Sequence, residues 1–262
     1  GGIVAASPAA LPDALLAAAA RPPTPPADRA AWTNWPAAVS QLLDPAEAPL
    51  ERYRLIALAG VDGGGKSFLI EALRHRLDQA GTPHRHVWSR FRNYLSKPLL
   101  AVARLTGHNR KEELEGVRVG YHDFAGRPWL AWPFLGLQVV DSLLDIWWRY
   151  HRTRDRRTIL ADRCLYDTLV DLAVDTGLER VIFGRLGHWL VGLLPRPHLA
   201  VVLNRSVAAI RADRPDVLLD RNFARRRALY RRLAAEFGLP VLENDTTAEQ
   251  VLDRLERLAA AP

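Results

Sequence analysis

"GVDGGGKS", residues 60–67, stands between two stretches of different character. Before it, "RLIALAG" (54–60) is a short apolar run closed by glycine, the pattern of a buried strand. After it, "SFLIEALRHRLDQAG" (67–81) places Leu69, Leu73 and Leu77 at helical spacing and stops at Gly81. Gly60, Gly65, Lys66 and Ser67 complete the pattern G-x-x-x-x-G-K-[ST]. Gly60, Gly63, Gly64 and Gly65 let backbone N–H groups approach phosphate oxygens with no Cβ in the way. The helix opening at Ser67 adds the positive end of its dipole. Lys66 is expected to reach the β- and γ-phosphates of ATP, and the Ser67 hydroxyl to ligate Mg²⁺.

The same alternation continues outward. "HRHVWS" (84–89), "TILAD" (158–162), "LAVVLN" (199–204) and "PVLEN" (240–244) read as further strands. Helices are expected near 165–175, 179–193, 206–213, 222–237 and 247–260. The middle, from about Ser96 to His151, reads as mostly helical, interrupted near Gly107 and at "AGRPW" (125–129). Strands alternating with helices predict an α/β fold, a parallel sheet covered on both faces.

In "RRTILADRCLYD" (156–167), Asp162 closes an apolar strand. Ligands of open α/β sheets sit at the carboxyl ends of strands, so Asp162 is expected to face Mg²⁺ through water. The other reading of Asp162 is a cap on the following helix. Arg163 offers a forked donor to phosphate.

At 262 residues the chain fits one large domain with an appendage. Residues 1–50 are Ala/Pro-rich, with "RPPTPPAD" (21–28) as an extended linker and "AAWTNWPAAVSQLLD" (30–44) as a short helix. Residues 51–262 form the expected main domain. The opening residues lack the basic segment of a secretory signal. The single cysteine, Cys164, allows no internal disulfide and reads as a small packing residue. The apolar stretch Trp129–Trp148 is interrupted by Pro133, Asp141 and Asp145, so it reads as buried helix and not as a membrane span. A cytoplasmic location and no membrane partner are therefore expected. Trp129, Trp132, Trp147 and Trp148 fit core positions, with stacking on a base as the other reading. Asp141 and Asp145 fit contact with Mg²⁺ or acceptor hydroxyls, or ion pairs with Arg149 and Arg152. The net charge of +7 suits an anionic partner. No nucleic-acid motif accompanies it, which points to a small phosphorylated ligand and away from nucleic acid. The histidines lack the spaced carboxylates and cysteines of a zinc site.

Taken in order, "GVDGGGKS", "VWSRFRN" (87–93), "ILADRCLYDT" (159–168) and "PHLAVVLNRSVAAIRADRPD" (197–216) resemble thymidylate kinases and their relatives. The similarity covers about residues 53–260. It implies a P-loop NTPase three-layer fold, with a five-stranded parallel sheet in the order 2-3-1-4-5 and a short lid. It also implies Mg²⁺-dependent transfer of the ATP γ-phosphoryl group to a nucleoside monophosphate, and a homodimer. By position, Asp62 would approach the acceptor's sugar hydroxyl. Arg90 or Arg92, with Arg163, would hold the acceptor phosphate, while Arg211, Arg214 and Arg221 would close as lid arginines. Three features depart from the family, the first being a middle segment, residues 94–126, longer than the family's. Asp141 is followed by Ser142 where relatives carry a base-reading arginine, and Cys164 replaces an aromatic, with Tyr166 two residues on. A kinase of a sugar or another small molecule, and a nucleotide-binding regulatory module with little turnover, are the other readings.

Overall fold

The computed structural model describes residue 50 and residues 52–88, 93–114, 117–152 and 157–260. All lie in the unit Pro49–Pro262, which follows a division after Ala48. Strand β1 (Leu55–Gly60) is buried along its whole length. It pairs in parallel with β5 (Thr158–Asp162) on one side and β6 (His198–Asn204) on the other. Strand β2 (His84–Trp88) adds to β5, and β7 (Val241–Glu243) adds to β6. Continuous burial of β1 and β5 is what a parallel sheet covered on both faces requires.

Alternation along β1 divides the core. Leu55, Ala57 and Ala59 face one layer, where they meet Phe134, Leu169 and Leu233. Ile56 and Leu58 face the other, where they meet Leu69, Leu73 and Leu77 of α1 (Lys66–Gln79) and Val251 and Leu255 of α9 (Ala248–Ala260). Side chains that alternate in a strand thus build a sheet between two helical layers.

In chain numbering the sheet order is β2-β5-β1-β6-β7; counted among the five strands of this sheet alone it is the expected 2-3-1-4-5, the labels being shifted by an inserted hairpin. Two further strands, β3 (Asn109–Leu114) and β4 (Val117–His122), lie between β2 and β5 in the chain and pair only with each other, antiparallel. The expected helices before Gly107 and after 125–129 are present, and the hairpin is the correction: it stands between those two interruptions, where helix was expected. Its sequence signal is the period-two alternation of Val117, Val119 and Tyr121 after Gly116. Helix α2 (Lys97–Leu105) precedes the hairpin. Helix α3 (Pro128–Ile146) follows it and runs on through a π turn, Trp147–His151. The single helix expected over 179–193 is two, α5 (Glu179–Phe183) and α6 (Arg185–Gly192), meeting at Gly184. Before them lies α4 (Leu165–Thr176). After β6 come α7 (Val207–Asp213), a 3₁₀ turn Pro215–Leu219, and α8 (Phe223–Phe237). No helix among the described residues is long and apolar enough to cross a membrane.

Two further expectations are corrected. Trp129, Trp132, Trp147 and Trp148 are not core residues; each is about half exposed on one side of α3 and its π turn. Asp141 is buried, and its carboxylate accepts from the backbone N–H groups of Tyr94 (3.1 Å) and Leu95 (2.8 Å) and from the Ser96 hydroxyl (2.9 Å). A buried carboxylate thereby satisfies main-chain donors of the turn that leads into α2. Asp145 pairs with Arg149 at 2.5 Å, one turn on.

Candidate functional site

The strand ladders bring the candidate residues to one edge of the sheet. Leu58 of β1 and Trp88 of β2 both stand level with Asp162, and Gly60 stands level with Leu203. Because every pair is parallel, the segments leaving β1, β5 and β6 exit on the same side. Residues 61–65 are the segment that leaves β1.

The loop closes on itself through a bond from the Gly64 N–H to the Val61 carbonyl, at 3.1 Å. Its last residue, Gly65, adopts φ 84°, and a Cβ there would lie 2.2 Å from Asn244 Nδ2. Only glycine accommodates both that backbone and that approach. Side chains from neighbouring strand ends hold the loop carbonyls from outside. The Asn244 amide donates to the Gly64 carbonyl at 2.7 Å, and Arg205 donates to the Gly63 carbonyl at 3.2 Å. In a trans peptide the N–H points opposite the C=O, so Asn244 fixes the Gly65 N–H on the far side.

Helix α1 starts at this point with no side-chain cap and no acidic residue in its first turn. Its first amides and the positive end of its dipole are therefore available to an anion. Lys66 is 6% exposed, and its ammonium donates to the Gly60 (2.6 Å) and Val61 (2.8 Å) carbonyls. The charge thus lies folded into the loop. Next to it, the Ser67 hydroxyl donates to Asp162 Oδ2 at 2.6 Å. A hydroxyl and a buried carboxylate side by side form a hard oxygen pair of the kind Mg²⁺ prefers, with remaining positions left to water and phosphate.

Arg163 follows Asp162 with φ 63°, the one non-glycine with positive φ among the described residues. A strained backbone of this sort recurs where a side chain must be aimed. Here it turns the guanidinium into an ion pair with Asp62 of the loop. Asp167, 2% exposed on the first turn of α4, completes the base of the site. It accepts from the N–H groups of Gly60 (3.4 Å) and Cys164 (3.0 Å) and from the Tyr230 hydroxyl (2.7 Å). One carboxylate thus ties the end of β1, the start of α4 and the middle of α8 together.

Burial, reinforced by the Asp167 charge, pushes the Cys164 thiol well above its ordinary range. A buried, protonated thiol is a poor nucleophile. Reaction of native protein with a thiol reagent is expected to be at least ~10³-fold slower than after denaturation, since it must wait for local opening. A colorimetric disulfide reagent with and without urea measures that ratio.

The expected lid arginines separate. Arg214 lies against the loop, its Cβ 3.7 Å from where a Cβ on Gly63 would stand, while its guanidinium is paired with Asp216. Arg211 is exposed on α7. Arg221 lies 4.0 Å over the Tyr121 ring and pairs with Asp123, at the end of the hairpin. The segment 214–221 therefore runs from the glycine loop at 61–65 to β4. Arg90 and Arg92 lie outside the described residues. A pocket of about 340 Å³ opens between α2 and the hairpin, lined by Asn93, Lys97, Leu100, Arg104, Asn109 and His122.

Asp167, Tyr230, Asn244 and Arg205 were not among the residues singled out from sequence. Asp167 had a signal: it stands three residues after Cys164, the spacing of a capping box with cysteine in the serine position. Asn244 and Arg205 follow strands and carry no local pattern; only the fold brings them to the loop. Comparison with protein-family models and with curated proteins gives no match.

Proposed function

We propose that the protein is an ATP- and Mg²⁺-dependent phosphotransferase with a P-loop NTPase fold, acting on a small acceptor. The observation that carries this reading is the 2.6 Å contact between Ser67 and Asp162, set beside Lys66 at an uncapped helix start. Ser67 and Asp162 would hold Mg²⁺, which when bound neutralises phosphate charge and orients the β- and γ-phosphates. Lys66 would leave the loop carbonyls for the phosphate oxygens. The loop amides and the α1 dipole bind charge without moving. Arg163, aimed by its backbone and stored on Asp62, would shift to the transferring group or the acceptor phosphate. Arg214, already beside the loop, needs only to release Asp216. Arg211 and Arg221 are further candidates for the lid. No general base is required when the nucleophile is a phosphate oxygen.

The pocket between α2 and the hairpin favours an acceptor smaller than a polymer, with Lys97 and Arg104 offering charge to an anionic group. A non-thymidylate acceptor is the second reading. Position 142 is a buried serine, and Asp141 before it is committed to the start of α2, so a base-reading pair is absent there.

The test is ADP formation from ATP and Mg²⁺ across nucleoside monophosphates, sugars and sugar phosphates, with Asp162→Asn as the metal-site control. Acceptor-dependent ADP that needs Mg²⁺ and falls at least ~10²-fold in the variant is expected. If ATP binds the native protein but no acceptor raises its turnover, a nucleotide-binding module replaces this reading.

A further inference from the structure

Helices α2 and α3 lie side by side and antiparallel. At the start of α2 the Leu95 N–H donates to Asp141 at 2.8 Å, and Asn93 accepts from Gln138 at 2.6 Å. Beyond its end the His108 ring stands edge-on to Trp129, the centroids 6.1 Å apart. Each helix buries one side and leaves an apolar side open. On α3 and its π turn the open side carries Trp129, Trp132, Val140, Leu144, Trp147 and Trp148, with each tryptophan 51 to 56% exposed. At 1.5 Å per residue this stripe is about 30 Å long. On α2 the open side carries Pro98, Val102 and Leu105, and Leu105 is 88% exposed. A helix apolar on every side is normally covered on every side.

We propose that this two-helix face docks on the surface of an anionic phospholipid bilayer, with its tryptophans at the level of the headgroups. Its extent calls for a partner. Four half-exposed tryptophans with their aliphatic neighbours present on the order of 600 Å² of apolar surface, the upper end of what a monomer leaves open. Its side chains suit the boundary between lipid and water, because tryptophan joins a large apolar ring to an N–H that stays hydrated there. Its charge selects the lipid. From Asn93 to Arg110 the chain carries Lys97, Arg104 and Arg110 and no carboxylate, and all three are exposed. At the other end of the stripe the exposed Arg152 guanidinium lies 3.8 Å over the Trp148 ring. That stack holds a forked donor beside an inserting ring, where a phosphodiester would meet it. The neighbouring acids are committed elsewhere: Asp141 is buried, Asp145 is paired with Arg149, and Glu112 is paired with Arg221. An apolar face bordered by unopposed basic residues is the pattern of helices that lie in a membrane interface. A protein partner would need carboxylates placed to meet each cation, whereas anionic lipid supplies charge across the whole footprint. No described helix is long and apolar enough to cross a bilayer, and docking on its surface needs none. The expectation of no membrane partner considered only a span.

Vesicle binding is read without catalysis, so it stands or falls apart from the phosphotransferase reading. The full chain is expected to pellet with mixed phosphatidylcholine–phosphatidylglycerol vesicles, more than with phosphatidylcholine alone, and to be released in part by salt. Its tryptophan emission should move to shorter wavelength on binding, as the rings leave water. A net charge of +7 draws any such chain to anionic lipid, so variants decide. Leu105→Glu is expected to weaken the partition into mixed vesicles by about 10-fold or more. Arg152→Glu, at the opposite end of the face, should weaken it by about fivefold or more. Both variants should keep the native circular dichroism spectrum. Arg257→Glu makes the same change of charge on α9, in the other helical layer, and should alter binding less than about twofold. A native chain that stays in the supernatant at low salt overturns the proposal. So does a chain for which Leu105→Glu and Arg152→Glu weaken binding no more than Arg257→Glu, which would leave only general attraction. A native dimer that Leu105→Glu dissociates would put a second copy on this face and overturn it as well.

Discussion

Lys66→Ala is expected to lower kcat/KM for ATP-dependent transfer by about 10³-fold or more, roughly 4 kcal/mol of transition-state stabilisation, in a protein that remains folded. The two halves of that expectation come from one environment. Lys66 is almost fully buried, and its ammonium is held by the carbonyls of Gly60 and Val61. A cation in such a place costs desolvation and recovers it from bonds to neutral carbonyls. Its removal therefore costs the fold little, and a shift of only a few degrees in Tm is expected. The catalytic loss is large for the same reason: charge that acts away from bulk water is worth far more than at the surface. Lys66→Arg should not restore activity. A guanidinium is larger and planar, and the loop closes around the ammonium too tightly to admit it. Steady-state ADP formation with a thermal melt of each variant separates the two halves. Retained turnover in Lys66→Ala would end the phosphotransferase reading. Lost turnover with a collapsed melt would assign Lys66 to the fold instead.

Much of the architecture was legible because it is written in local patterns. Apolar runs at 55–60, 158–162 and 199–204 could only be buried strands, and helical spacing at 69, 73 and 77 gave α1. The glycine loop at 60–65 was legible for a stronger reason, since its glycines are demanded by positive φ and close approach that other residues do not accommodate. What escaped depends on partners distant in sequence. The hairpin β3–β4 carries charged residues at 110–113 that hid one strand, and only its pairing with Val117–His122 makes it one. The tryptophans of α3 look like core because composition does not say which side of an apolar helix has a partner within its own chain. Asp141 fitted a metal or acceptor contact or an ion pair with Arg149 or Arg152 equally well, and the main-chain donors that claim it instead lie 45 to 47 residues earlier. The polar residues of the site divide in the same way. Asp162 and Ser67 were readable from strand ends and loop spacing, whereas Asn244 and Arg205 became visible only when β6 was placed beside β1 and β7 beside β6.

Asp167→Ala is expected to destabilise the domain by about 4 kcal/mol, the largest effect on stability of any substitution considered. The carboxylate is 2% exposed and answers three donors from three segments: Gly60 N–H, Cys164 N–H and the Tyr230 hydroxyl. Each buried donor left unpaired costs about 1–3 kcal/mol, and only part of the sum is returned by no longer burying a charge. Two further substitutions rank the contributions. Asp167→Asn keeps one acceptor oxygen but turns an NH₂ toward donors, which should cost about half as much. Tyr230→Phe removes one donor and leaves both N–H bonds in place, which should cost about 1 kcal/mol. Urea unfolding of the three variants gives the order directly. The same carboxylate holds the last residue of β1, from which the phosphate loop springs, so its loss should also loosen ATP. Stabilisation by saturating ATP–Mg²⁺ follows the logarithm of ligand over dissociation constant. It should therefore be smaller in Asp167→Ala than in Tyr230→Phe. Equal unfolding midpoints for Asp167→Ala and Tyr230→Phe would mean that the two N–H bonds contribute nothing. Asp167 would then be a partner of Tyr230 alone, and the loop would owe its shape to Asn244 and Arg205.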